Sequence, residues 1–153
     1  MGFPVSTDFP PPLYIGRSVY QDSFVTGLTN HSWFIPVVLH KATTFNRMDM
    51  RCNPVLGNYD IGVYNSNFVR LVSSGSTACL FNNTAIFSIS LSPGQYWLAV
   101  ALSDPLCGLG SFIGNIMGKV RIQAATFPLP LNAAPVESSN FIELIPTLTL
   151  YRV

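Results

Sequence analysis

The sequence predicts an all-β fold: a two-sheet antiparallel sandwich with jelly-roll or Greek-key wiring and an extended N-terminal arm. Three observations support this prediction. Apolar residues alternate with period two, no segment shows a helical period, and twelve prolines and eleven glycines divide the 153 residues into short pieces. The length suits one domain with its own core. The pieces are not evenly spaced hairpins, which disfavours an up-and-down barrel.

The chain divides into an arm, residues 1–13, and a single β-sandwich domain, residues 14–153. Four of the first thirteen residues are proline, which is typical of an extended, polyproline-like segment. Phe3, Val5 and Phe9 are unusual in a solvated tail. We therefore predict that the arm docks on its own domain or on a neighbouring subunit, with these three side chains in the contact.

Ten segments between the breaks have the length and composition of strands. In chain order they are residues 13–20, 32–41, 44–52, 59–65, 68–72, 77–81, 84–91, 95–102, 117–124 and 141–153. The third strand has the clearest alternation. Its predicted inner face comprises Asn46, Met48, Met50 and Cys52, and its predicted outer face Arg47, Asp49 and Arg51.

The second strand, residues 32–41, is apolar on both faces. Trp33 and Ile35 lie on one face, and Phe34 and Val38 on the other. Two apolar faces are expected where one meets the sandwich core and the other meets an arm or a subunit. Trp33, Phe34 and Val38 are therefore candidate interface residues. Pro36 cannot donate to a ladder, so it predicts an edge or a bulge.

Two further segments are predicted as loops. Residues 103–116 are rich in glycine, and we predict either a flexible loop or a loop that packs at an interface through Leu109, Phe112 and Ile113. The glycines do not have the GxGxxG spacing of a dinucleotide loop, and no GK[ST] follows. Residues 127–135 form a second Pro-rich apolar stretch, predicted to be an arm or a crossing loop.

The scarcity of charge indicates assembly. Only 10% of the residues are charged, against about 25% in a typical soluble domain. We therefore expect other chains to cover part of the exterior. A net charge of +1 without a basic cluster predicts no nucleic-acid partner. No apolar run approaches the roughly 20 residues of a membrane span, and the N-terminus lacks a signal-peptide pattern, so we expect synthesis in a reducing cytosol and no membrane partner.

The sequence nominates no catalytic residues, no cofactor and no metal ligands. His31 and His40 could pair with an aspartate such as Asp49 beside a serine, but such pairings are common by accident, and we predict that the protein is not an enzyme. The acidic residues are scattered singly, without the pattern of a calcium loop or a carboxylate pair.

The three cysteines are an odd number without CxxC spacing, so neither a disulfide framework nor a zinc site is predicted. Cys52, Cys79 and Cys107 are interpreted as buried free thiols. Among the aromatic residues, Tyr64 and Trp97 lie on the less apolar faces of their strands. These two are the candidates for stacking on sugar rings, although aromatics in sandwiches more often pack in the core or between subunits.

Residues 41–103 resemble a β-sandwich module of tailed-bacteriophage virion proteins, both head decoration proteins and tail-fibre or receptor-binding proteins. The resemblance lies in three pieces taken in order: residues 45–52 (FNRMDMRC), 59–65 (YDIGVYN) and 91–100 (LSPGQYWLAV). The last is similar to the module's L-x-P-G-x-Y-W-L-A hairpin. The resemblance covers under half of the chain. The sequence shows no fibrous shaft or coiled coil.

The resemblance implies a structural role in the virion without catalysis, and assembly as a homotrimer. The first expectation is a capsid cement or decoration protein on the outer shell, which clamps neighbouring major capsid protein subunits. The alternative is a tail-fibre or receptor-binding protein that recognises host-surface glycans. Tyr64 and Trp97 would then contact the sugar.

Overall fold

The computed structural model describes residues 14–16, 23–25, 31–113, 120–124, 127–137, 144–146 and 148–153. The predicted arm, and with it Phe3, Val5 and Phe9, lies outside the described residues. Across the described residues the secondary structure is strand and loop, with no helix. Accordingly, this part of the chain contains no helix long and apolar enough to cross a membrane.

The described part of the chain forms fourteen strands. They are β1 (Tyr14–Gly16), β2 (Ser23–Val25), β3 (His31–Leu39), β4 (Thr43–Arg51), β5 (Asn58–Asn65), β6 (Arg70–Ser73), β7 (Thr77–Ala78), β8 (Asn82–Leu91), β9 (Gly94–Leu102), β10 (Leu109–Ile113), β11 (Arg121–Ala124), β12 (Val136–Glu137), β13 (Leu144–Pro146) and β14 (Thr149–Arg152).

The strands form two antiparallel layers. One layer is a seven-stranded sheet in the order β12-β11-β3-β9-β5-β6, with β7 also paired to β5. The other contains the sheets β1-β14-β4-β8 and β13-β10-β2, which are linked where Cys52 forms a bridge with Leu109. Because the chain passes repeatedly between layers, most paired strands are not consecutive. The predicted all-β sandwich is confirmed.

The main core lies between the two layers. The alternation of β9 predicts its inner face correctly, since Leu98, Val100 and Leu102 are buried in this core. The opposite layer contributes buried side chains from β4, β8 and β14. The largest side chains without solvent exposure in this cluster are Phe45, Met48, Met50, Ile61, Leu98 and Leu150.

A second core covers the outer face of the seven-stranded sheet. Phe34, Tyr64 and Trp97 pack there beneath Leu129 of the cover segment, which we define as residues 127–135. Phe34 and Tyr64 meet edge to face, with ring centroids 5.1 Å apart. The Pro-rich stretch is therefore a crossing segment of this chain's own domain, one of the two alternatives that the sequence predicts.

The cover segment is held by hydrogen bonds to the strands beneath it. The carboxylate of Asp60 accepts from the Leu129 amide at 2.9 Å, and an Arg70 Nη donates to the Leu129 carbonyl at 2.6 Å. The Tyr64 hydroxyl donates to the carbonyl of Pro130. The segment also exchanges backbone hydrogen bonds with residues 68–70, so side chains and main chain together satisfy its polar groups.

Strand β4 departs from the predicted alternation near its start. A β-bulge interrupts β4 between Phe45 and Arg47, where β4 has one residue more than its partner β14. Because the extra residue inverts the facing of the strand, Phe45 points into the core and Asn46 is exposed. The placement of Asn46 on the inner face was therefore wrong, whereas that of Met48 and Met50 is confirmed.

Two predicted boundaries are also corrected. Part of the Gly-rich stretch is strand β10, which pairs with both β2 and β13, because two neighbours satisfy its backbone despite the poor strand propensity of glycine. Phe68 lies in a turn with φ of 59°, not in a strand. The Asn65 side chain closes this turn by accepting from the amides of Asn67 and Val69.

The position of Pro36 agrees with the predicted edge or bulge, and Pro146 is placed in a similar way. Strand β11 pairs with β3 only as far as Phe34, so among the described strands Pro36 has a ladder neighbour on the β9 side alone. Pro146 ends β13, an edge strand of the three-stranded sheet. Both observations fit the missing amide hydrogen of proline.

Candidate functional site

Three loops lie side by side at one end of the sandwich. They join β4 to β5 (residues 52–57), β7 to β8 (79–81) and β9 to β10 (103–108). Backbone hydrogen bonds connect them: Cys52 N–H donates to Phe81 at 3.0 Å, Asn53 N–H to Gly108 at 2.9 Å, and Cys79 N–H to Gly57 at 3.0 Å. We call this region the loop end.

The loop end exposes large apolar side chains on all three loops. These residues are 39–64% exposed, and together we call them the loop-end patch: Val55, Leu56, Leu80, Phe81 and Leu106. The Arg51 guanidinium lies over the Phe81 ring, 4.8 Å from its centroid. Grouped apolar exposure on a hydrogen-bonded framework is typical of a surface that binds another protein.

The same three loops bring together all three cysteines of the chain. Cys52 follows β4, Cys79 follows β7, and Cys107 precedes β10. Their sulfur atoms all lie within 4.8 Å of one another, with Cys79 Sγ and Cys107 Sγ 3.9 Å apart. The residues are 0, 6 and 1% exposed and none is in a disulfide. The prediction of buried free thiols is confirmed, but their convergence was not predicted.

The thiols perturb one another's ionisation. Hydrogen bonds from Cys52 and Cys79, together with the Leu56 amide, lower the pKa of Cys107, since they stabilise its thiolate. Hydrogen bonding to Cys107 raises the pKa of Cys52 and of Cys79, and burial adds to both shifts.

The predicted interface residues have different surroundings. Trp33 packs in the main core and Phe34 in the second core, so the chain itself covers both side chains and their assignment to a subunit interface was wrong. Val38 is 58% exposed and stays a prediction. For Phe112 only the backbone, within β10, is described.

The two candidate sugar-stacking residues are buried. Tyr64 is without solvent exposure and Trp97 is nearly so, because the cover segment lies over their rings. Phe68 also packs on Trp97, with ring centroids 4.8 Å apart. Neither ring has a face open to a sugar in this conformation.

The residues considered for catalysis are not brought into one site. His40 is exposed, whereas the carboxylate of Asp49 pairs with Arg47 at 3.2 Å and accepts a hydrogen bond from Thr84. Arg47 also stacks over Tyr151, 4.1 Å from the ring centroid. These contacts within the chain are those of ordinary charged residues on the outer face of a strand.

Two signals in the sequence could have indicated the loop end. The cysteines are 27 and 28 residues apart. A pair of antiparallel strands with its turns returns the chain to the same end after a comparable length, so equal spacings of this size favour convergence. Apolar residues inside turns, such as Val55 and Leu56 between two turn signals, are the second signal.

Comparisons of this chain with protein-family models, with curated proteins and with solved structures found no match.

Proposed function

We propose that the protein is a non-catalytic structural subunit that functions by packing against other protein subunits, as a capsid cement or decoration protein on the outer shell of a phage virion. The virion assignment rests on the sequence resemblance of residues 41–103. The loop-end patch and the low content of charged residues support a subunit role independently of that resemblance.

The observation that carries the proposal is the loop-end patch. Because its side chains are roughly half exposed, burying the remaining area contributes about 1 kcal/mol for each of them. The interloop hydrogen bonds fix the backbone before binding, so little conformational entropy is lost on docking. We therefore infer that the patch packs on a neighbouring major capsid protein subunit.

The alternative, glycan recognition by a tail or fibre protein, receives less support. It depends on Tyr64 and Trp97, and both lie beneath the cover segment. A sugar would therefore need a second site on another surface. We therefore retain the shell subunit as the proposed function.

The proposal predicts that Leu80→Ser combined with Leu106→Ser lowers the occupancy of the protein on virions roughly 10-fold or more, since about 1.4 kcal/mol corresponds to a factor of ten. Occupancy is measured by quantitative mass spectrometry of particles from a genome that carries the variant, relative to the major capsid protein. Both positions are highly exposed, so the variant is expected to fold normally.

Leu131→Ser combined with Val136→Ser is the matched control. These side chains have almost the same exposure, 58 and 63%, but lie away from the loop end. We expect the control to keep wild-type occupancy. If the two double variants had equal occupancy, the loop-end patch would not be the surface that contacts the capsid. Absence of the wild-type chain from purified particles would remove the virion assignment.

A further inference from the structure

We propose that Cys52, Cys79 and Cys107 form a three-thiolate site for one thiophilic metal ion, with Cu(I) as the preferred ion. The cluster contains every cysteine of the chain, one from each loop of the loop end. The inference does not depend on the proposed function, because it rests on the sulfur positions alone.

The sulfur separations fit a single metal ion. Thiolates at about 2.3 Å from a central ion in a trigonal plane lie roughly 4.0 Å apart. Cys79 Sγ and Cys107 Sγ are 3.9 Å apart, and no pair in the cluster exceeds 4.8 Å. The third sulfur therefore needs to move by less than about 1 Å to complete the site.

The geometry differs from that of a disulfide and from incidental packing of thiols. A disulfide requires about 2.05 Å between sulfurs and leaves the third cysteine without a partner. Single buried cysteines are common in cores. Here three converge from loops whose backbones are already fixed to one another by hydrogen bonds, so the ligands are positioned before an ion binds.

The ligand set selects the ion. Sulfur is a soft ligand that favours Cu(I) and Zn(II) over calcium, magnesium or manganese. Zinc is almost always four-coordinate in structural sites, and within the described part of the chain the cluster offers three ligands and no fourth. Burial of all three residues also keeps water away from an open position. A three-coordinate site of this kind fits Cu(I) better than Zn(II).

A bound ion would cross-link the three loops of the loop end. It would join residues 52–57, 79–81 and 103–108 through one centre, in addition to their backbone hydrogen bonds. Because the site is formed only in the folded chain, metal binding would stabilise the fold by linkage.

The test is a metal titration of the full chain, purified under reducing, anaerobic conditions and treated with a chelator. We expect one equivalent of Cu(I) per chain by elemental analysis, with a rise in the unfolding midpoint. Cd(II) serves as a spectroscopic probe and should give a thiolate charge-transfer band that saturates at one equivalent. Zn(II), titrated in parallel, should bind more weakly than Cu(I).

Single Cys→Ala variants at the three positions are each expected to weaken Cu(I) binding by at least about 100-fold, since loss of a direct ligand exceeds the 10–100-fold cost of losing a supporting group. A His31→Asn, His40→Asn double variant is the control for binding at surface imidazoles and should bind as the wild type does. If an alanine variant fails to fold, the count of metal-protected thiols in the wild type gives the same information.

Three results would overturn the proposal. The first is an unchanged unfolding midpoint with no metal retained by the wild type. The second is retention of one tightly bound ion by all three alanine variants. The third is tighter binding of Zn(II) than of Cu(I), which would contradict a three-coordinate site.

Discussion

A Gly108→Ala variant is expected to lose about 4 kcal/mol of stability and to unfold roughly 10 °C below the wild type. A Cβ at this position would lie 2.0 Å from the carbonyl oxygen of Asn53 and 3.1 Å from Pro54 Cδ. The backbone cannot move away without breaking two hydrogen bonds, one from Asn53 N–H to Gly108 at 2.9 Å and one from Gly108 N–H to Pro54 at 3.1 Å. Thermal and urea unfolding measure the effect.

Gly75→Ala is the matched control for this prediction. Nothing lies within 4 Å of a Cβ built on Gly75, so its cost is limited to the positive φ of 67°, about 1–2 kcal/mol. Gly108 is flanked by Cys107, and Asn53 by Cys52, so the Gly108 variant should also disturb the cysteine cluster. Equal stability of the two variants would contradict the close approach of the β4–β5 and β9–β10 loops.

The period-two pattern was sufficient to predict the sheets and most of the core. In β9, Leu98, Val100 and Leu102 alternate with Trp97 and the small residues between them, and both sets are buried as expected for a strand with two covered faces. The pattern failed at the bulge in β4, because one residue more than in the partner strand β14 reverses the facing of the residues before it. No local sequence signal marks that residue.

The period-two pattern could not predict what covers the outer face of the seven-stranded sheet. Phe34 and Trp97 were equally compatible with a neighbouring subunit and with a segment of the same chain. The answer depends on Leu129, more than thirty residues from Trp97 in sequence, and on polar anchors such as Asp60. Proline-rich segments carry no periodicity that would specify which surface they cross.

Local sequence motifs could not predict the cysteine cluster, for a related reason. Metal motifs such as CxxC place two ligands within one turn, so local sequence reveals them. Cys52, Cys79 and Cys107 each stand alone in sequence and meet only because three separate loops share one end of the sandwich. Topology has to be known before such a site is visible.

Asp60 is one of the side chains that hold the cover segment over the second core. It is fully buried in β5, and its carboxylate accepts hydrogen bonds from the Leu129 amide at 2.9 Å and the Ser74 hydroxyl at 3.3 Å. Removing it leaves the Leu129 amide buried without an acceptor. The cover segment over Trp97 should then loosen.

We predict that Asp60→Ala lowers the free energy of unfolding by about 3 kcal/mol, whereas Asp60→Asn, which keeps an acceptor for the Leu129 amide, costs about 1 kcal/mol. Urea unfolding measures both. In a Trp33→Phe background, acrylamide quenching of Trp97 should rise in the alanine variant and not in the asparagine variant. Equal quenching in the two variants would show that Asp60 does not hold the cover segment.

The wild type and the Asp60→Asn variant are also expected to differ in how their stability depends on pH. Burial raises the pKa of Asp60 above its ordinary value, although its hydrogen bonds and Arg70 oppose the shift. Between the unfolded and folded pKa values the folded state holds more protons, so the Asp60 contribution is fully present below the unfolded pKa and is lost as pH rises through the folded one. The stability of the wild type relative to Asp60→Asn should therefore decrease as the pH rises above about 4, the ordinary pKa of an aspartate. An increase over that range would mean that the carboxylate is stabilised as the anion, through Arg70, more than it is penalised by burial.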